Sequence, residues 1–351
     1  MPNIPVYFII PPRSGVSFRV LVRPVKTDPG YVNGRDARLA GFDWDEFAAW
    51  RVRSLHADYY RWSMEYGVRC LNIQHRPEEC AWIIDGVSCP YSDYVCREHS
   101  VNFSSIGVIP DLRRLLEGEP WDRGQLDLDD CAASASRFSM RISITSLVLT
   151  SDDYFVFQRR SDAVAAGTGN LAGAGNGAAD WFSDYEGFYH SRVVRPLDRG
   201  YLLPQRLAEV LRRCGPAPKD PWRLRNSALR EIAEEIGVSR FRHSDHAEDG
   251  VPAFERPFIG AALNLRHGRD LNFYCCFRSE LEASDIAAQR EVARDSWEVA
   301  SLVFINKRDV TLDRLVSGAL DGLLPNRTRH LNALLYAWAV FAASTEKNNG
   351  C

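Results

Sequence analysis

The chain has 351 residues, 45% of them hydrophobic and 25% charged, with a formal net charge of −3. Those proportions exclude a mainly disordered chain, a collagen-like repeat and a small disulfide scaffold, and the length sets a prior of two domains. No apolar run reaches the roughly 18 residues of a membrane-spanning helix, and no strongly basic domain offers the footprint of duplex nucleic-acid binding.

The opening segment, MPNIPVYFIIPPRSG, has one short apolar patch and no basic n-region, so no secretory signal is expected. An odd number of cysteines, nine, then fits a reduced, cytoplasmic setting. Over the first 130 residues the pattern reads as a mixed α+β unit. Runs at 6–10 and 17–25 are rich in Val, Ile and Phe and are expected as strands. A helical stretch over 44–66 carries Phe47, Trp50, Tyr59 and Trp62, read as packing side chains. Short strands are expected at 80–84 and 102–108. Cys96-x-x-His99 is half of a zinc pattern, but no C-x-x-C knuckle accompanies it, and buried reduced thiols are the expected reading. Gly, Pro, Asp and small residues place a linker over 117–135.

From residue 138 the character changes. Two β-rich runs, 141–149 and 154–159, flank the polar turn Ser151-Asp152-Asp153. The glycine- and alanine-rich stretch 163–179 permits tight backbone geometry. It is not a P-loop, because no Gly-Lys-Ser/Thr ends it, and no parallel βαβ unit makes it a dinucleotide fingerprint. A short helix is expected at 205–214 and a second at 226–236. A strand pair follows at 258–265 and 271–278, linked by a turn with Gly268. A strand at 300–305 and a helix at 329–343 complete the order. His190, His243, His246 and His267 fall on expected loops and assemble no nucleophilic triad. Cys275-Cys276 lies within a strand and reads as core packing.

The informative segment is the helix 226–236. At 100° per residue, Leu229, Ile232, Ala233 and Ile236 share an arc about 100° wide. Glu231, Glu234 and Glu235 share another on the opposite side. Arg230 lies at its edge, within i,i+4 reach of Glu234, and Gly237 is placed as the left-handed cap. Three carboxylates so close repel one another and raise their pKa values. A divalent cation relieves that repulsion, and Mg²⁺ prefers carboxylate oxygens. Such an ion binds phosphate oxygens and acidifies a bound water. The bland alternative is a solvated glutamate face with a glycine stop.

The string at 230–238, Arg-Glu-Ile-Ala-Glu-Glu-Ile-Gly-Val, matches the second half of the Nudix box, R-E-U-x-E-E-x-G-U with U apolar, at every specified position. The chain thus resembles the Nudix hydrolase superfamily over residues 138–343, with LVLTSDDYFVFQRRS at 147–161 like the family's opening hairpin. The first half of the box departs: its Glu position falls on Trp222 and its Gly position on Pro216. Gly175 or Gly177 is the nearer glycine equivalent, ahead of an insertion at about 178–222. Within that insertion, Asp180 and Glu186 are candidates for the missing carboxylate.

The first 130 residues lie outside the resemblance and are expected as a separate N-terminal α+β domain that shapes the site or mediates a homodimer. For residues 138–343 the resemblance implies an α/β fold, a Nudix-type α/β/α sandwich with a mixed sheet. It implies hydrolysis of a phosphoanhydride in a nucleoside diphosphate-linked or similar small diphosphate, with Mg²⁺ or Mn²⁺ as cofactor. Glu231 and Glu235 would be the main metal ligands, Glu234 a third ligand or helper, and Arg230 the residue that orients a glutamate by a salt bridge. Glu298, with Glu291 as its rival, would add a carboxylate for metal or base work. Arg159 and Arg160 would hold phosphates by forked hydrogen bonds. The general base stays open between Glu234, Glu298 and a metal-bound hydroxide. Two other readings stand beside the hydrolase: a catalytically inactive binding or regulatory module, and a biosynthetic enzyme using the fold for another diphosphate reaction.

Overall fold

A computed structural model describes residues 7–10, 16–24, 31–32, 35–36, 66–90, 140–162, 168–179, 222–248, 250–264, 270–293 and 296–349. The expected helices over 44–66 and 205–214, the strand 102–108, the linker 117–135, the Cys96/His99 pair, Asp180 and Glu186 lie outside the described residues, save Tyr66, which opens a strand.

The N-terminal strands are β1 (Tyr7–Ile10), β2 (Arg19–Pro24), β3 (Tyr31–Val32), β4 (Arg35–Asp36), β5 (Tyr66–Arg76) and β6 (Ala81–Pro90). The later ones are β7 (Met140–Leu149), β8 (Tyr154–Arg160), β9 (Leu171–Ala172), β10 (Gly175–Ala178), β11 (Trp222–Arg223), β12 (Phe258–Asn264), β13 (Asp270–Arg278) and β14 (Val299–Asn306). Apart from β3 and β4, which pair with each other, they form one mixed 12-stranded sheet. Its centre is β7, paired in parallel with β13 from Asp270↔Arg141 to Arg278↔Leu149. β7 turns back antiparallel into β8 through the expected polar turn, where Asp153 takes φ 67°. β14 continues the sheet beyond β8.

Alternation along β7 and β13 divides the core into two faces. Ile142, Ile144, Val148, Phe273, Cys275 and Phe277 pack on one side with helix α1 (Arg225–Ile236). Leu147, Leu149, Tyr274 and Cys276 pack on the other, under the long helix α4 (Arg329–Asn349). Helix α2 (Ala283–Gln289) adds Ile286 to the first face and α3 (Leu312–Val316) adds Leu315 to the second. The molecule is therefore a mixed α/β fold with helices on both faces of a mixed sheet. Among the described residues no helix is long and apolar enough to cross a membrane.

The N-terminal strands share this sheet. β1 pairs with β12, β5 meets β7 at Arg69↔Arg141, and β2 pairs with both β6 and β11. Phe18, Val20, Val22, Trp82 and Ile84 lie in the same core cluster as Ile232 of α1. The glycine-rich stretch, expected only as tight backbone, supplies two short strands. β10 runs antiparallel to β7 from Gly175↔Ser146 to Ala178↔Ser143.

Candidate functional site

Helix α1 ends where its sequence dictates. Gly237 adopts φ 76°, and its N–H returns to Ala233 O at 3.1 Å, a left-handed cap that glycine takes without a Cβ penalty. Ile232 and Ile236 are fully buried on the core side. The acidic side is not a solvated face. Glu234 is 8% and Glu235 2% exposed, because α1 packs against β10 and Gln158 of β8 reaches Glu235.

Arg230 organises two of the carboxylates. Its Nη1 lies 2.7 Å from Glu231 Oε1 and 2.8 Å from Glu234 Oε2, and its Nη2 donates to Ala178 O at 2.9 Å. The guanidinium ties the helix to the end of β10 and holds Glu231 and Glu234 to one cation. Glu231 also depends on Gly177: a Cβ there would lie 1.9 Å from its Cδ and Oε1. Gly175 serves a different need, since its Cβ would meet the Ile232 backbone N at 2.9 Å. The two glycines let the helix sit on the strand and let a carboxylate lie against it.

Glu235 is the deepest group. Its Oε2 accepts from Gln158 Nε2 at 2.6 Å and from the Asn176 backbone N–H at 2.9 Å. Burial pushes its carboxyl well above the ordinary range, and the nearby Glu231 and Glu298 carboxylates push it further. Arg160 and the Asn176 N–H oppose that rise. Val156, Gln158 and Arg160 occupy alternate positions on β8 and project from the α1 side. Arg160 Nη2 lies 3.8 Å from Glu298 Oε2. Glu298 is itself placed by the end of β8: Ser161 N donates to Glu298 O at 2.8 Å and Ser161 Oγ to Trp297 O at 2.7 Å.

The structure thus brings Glu231, Glu235, Glu298 and Arg160 into one electrostatic neighbourhood, with Glu234 and Arg230 alongside. Arg159 lies on the opposite face of β8, where its Nη1 donates to Gly169 O at 2.9 Å. Glu291 is exposed on a short 3₁₀ turn. Gln158 and Asn176 are site residues that the motif alone does not indicate. The legible signal for Gln158 is its parity: it shares a strand face with Val156 in an otherwise apolar run. The donors here are carboxylate and carboxamide oxygens, the type that hard divalent cations take. Among the described residues no group of three or more His, Cys, Asp or Glu side chains forms a metal-ligand set. A separate cleft lined by Arg242, Ser244, His246, Glu248, Phe254 and Arg278 contains none of these carboxylates.

No family model matches the chain, and no curated protein matches it. Among solved structures it is similar to the crystal structure of a NUDIX hydrolase from Alicyclobacillus acidocaldarius, with 18% identity and a TM-score of 0.30, over 57% of this chain and 91% of that one.

Proposed function

We propose that the chain is a metal-dependent hydrolase of the Nudix type, cleaving a phosphoanhydride in a nucleoside diphosphate-linked or similar diphosphate. The observation that carries the reading is the burial of Glu235 beside two other carboxylates. A merely solubilising glutamate would point to water, whereas Glu235 is held inward beside Glu231 and Glu298 at an electrostatic cost that a bound cation would offset.

Glu231, Glu235 and Glu298 would hold Mg²⁺ or Mn²⁺. The cation would neutralise the diphosphate and lower the pKa of the attacking water. Gln158 and the Asn176 N–H fix Glu235, so that one ligand is oriented before substrate arrives. Arg230 fixes Glu231 and Glu234. The general base would be Glu234, Glu298 or a metal-bound hydroxide. Arg160, on the site side of β8, would meet a phosphate, a task suited to a planar guanidinium.

The test is Glu235→Gln, which keeps size and removes charge. Mg²⁺-dependent cleavage to phosphomonoesters, followed by the phosphate that an added phosphatase frees from those products, over a panel of dinucleoside and nucleoside diphosphate-linked compounds, should fall about 10²–10³-fold, as for loss of one electrostatic element of a transition state. Melting temperature in chelator should hold or rise, because a buried repulsive charge is gone. Unchanged hydrolysis in the variant would overturn the assignment. Trp222 in place of the box glutamate favours a second reading, a binding module. Its signature would be no hydrolysis in the wild type together with a melting shift on adding the same diphosphates.

A further inference from the structure

Gln158 is 1% exposed and sits in an apolar stretch of β8. A carboxamide there has four hydrogen-bonding valences. Nε2 uses one on Glu235 Oε2 at 2.6 Å, while Oε1 is buried with no hydrogen-bond partner. A buried acceptor left unmade is costly, and an apolar side chain of similar volume would avoid that cost. Covalent geometry locates the orphan atom. The oxygen and nitrogen of a carboxamide are about 2.2 Å apart, so Oε1 lies within about 5 Å of Glu235 Oε2. The unpartnered oxygen is therefore close to the Glu235 carboxylate.

We propose that Gln158 completes the cation site in place of the glutamate that the box lacks at Trp222: Nε2 holds Glu235 in position, and Oε1 is a neutral oxygen ligand beside Glu231, Glu235 and Glu298. The proposal rests on the metal-dependent reading above. It explains why the residue is Gln and not Glu. A fourth carboxylate would face Glu235 without any donor between them, whereas the amide donates to Glu235 and still offers a hard oxygen of the kind divalent cations accept.

The experiment is a Mn²⁺ titration of the full chain, following the free-ion electron paramagnetic resonance signal, with melting curves in chelator and in Mn²⁺. Wild type is compared with Gln158→Met, Gln158→Glu and Glu235→Gln. Gln158→Met should weaken Mn²⁺ binding about 10–100-fold, the range for losing a supporting group of a metal site. Gln158→Glu should bind at least as tightly as wild type and show a larger Mn²⁺-induced rise in melting temperature. Wild-type affinity in Gln158→Met overturns the proposal while leaving the metal reading intact. If Gln158→Met does not fold, a Mn²⁺-induced rise in Gln158→Glu no larger than in wild type overturns it instead. Absence of Mn²⁺ binding in the wild type, or full binding in Glu235→Gln, overturns the metal reading and this proposal together.

Discussion

At residue 177 one hydrogen atom stands where any other side chain would strike the Glu231 carboxylate, with a Cβ 1.9 Å from Oε1. The obstructing atoms are the far end of a flexible side chain, so Gly177→Ala should fold with a stability change within about ±0.5 kcal/mol, as for a substitution the structure can absorb. Glu231 must swing away, however, and Mn²⁺ affinity and hydrolysis should both fall. Two residues earlier the same substitution should do the opposite. A Cβ on Gly175 meets the Ile232 backbone, with N at 2.9 Å and Cα at 3.2 Å. A helix cannot move as a side chain can, and overpacking of this kind costs about 1–3 kcal/mol. Urea unfolding paired with Mn²⁺ titration separates the two: Gly175→Ala loses stability, and Gly177→Ala loses the ion. Wild-type Mn²⁺ affinity in Gly177→Ala would mean that Glu231 has no role at the site.

Helix α1 was legible because each of its signals is local. The 100° spacing of Leu229, Ile232, Ala233 and Ile236 and the glycine at 237 are properties of one short segment. The opposite wall was not legible, since it is made by pairing. The sequence carries no mark that Gly175–Ala178 will lie antiparallel to β7 and bring the Asn176 N–H to Glu235. Strand β5 escaped for a related reason. Its register shifts between Cys70 and Asn72, and such a bulge interrupts the period-two pattern by which strands are recognised. Strand β13 was read correctly, Cys275 and Cys276 included, because long apolar runs bounded by turns need no partner to be recognised. Its interior makes a further prediction. Burial pushes the Cys275 thiol up to about 12, a rise that the Ser146 hydroxyl, 3.2 Å away, only partly offsets. In the unfolded chain a thiol titrates near 8.5. The stability this difference represents is fully present below about pH 8.5 and is lost as pH rises toward 12, at about 1.4 kcal/mol per pH unit once the unfolded thiol ionises. Urea midpoints at pH 8 and pH 10.5 should therefore differ more in the wild type than in Cys275→Ser, whose hydroxyl does not ionise. Identical differences would show that the thiol is not buried in the folded state.

For the molecule as a whole, the question is whether the first 90 residues are an accessory or a structural part of the site. The sheet and the core both bear on it. Leu224, which precedes α1, donates its N–H to Val20 O at 3.0 Å, and β11 pairs with β2 at Trp222↔Val22. The start of the glutamate-bearing helix is thus sewn to an N-terminal strand. Phe18 exchanges backbone hydrogen bonds with Phe258, at 2.9 and 3.2 Å, and their rings lie 6.1 Å apart. Trp82, only 3% exposed, packs against Phe18 with ring centroids 6.2 Å apart, inside the cluster that also holds Ala228 and Ile232. Trp82→Ala removes the largest of these side chains and should cost about 3–5 kcal/mol. If the two parts of the chain share one cooperative unit, that loss should move the entire urea transition, with far-ultraviolet and near-ultraviolet circular dichroism remaining coincident. A chain begun at residue 138 should bind Mn²⁺ more weakly than the full chain, because α1 has lost the strand that anchors its first turn. Independent domains would behave otherwise. Trp82→Ala would then split the curve into two transitions, and Mn²⁺ binding would persist in urea that had already melted the first. The hydrogen bonds from β2 to Leu224 and Trp222 lead us to expect a single transition in which stability and the ion are lost together.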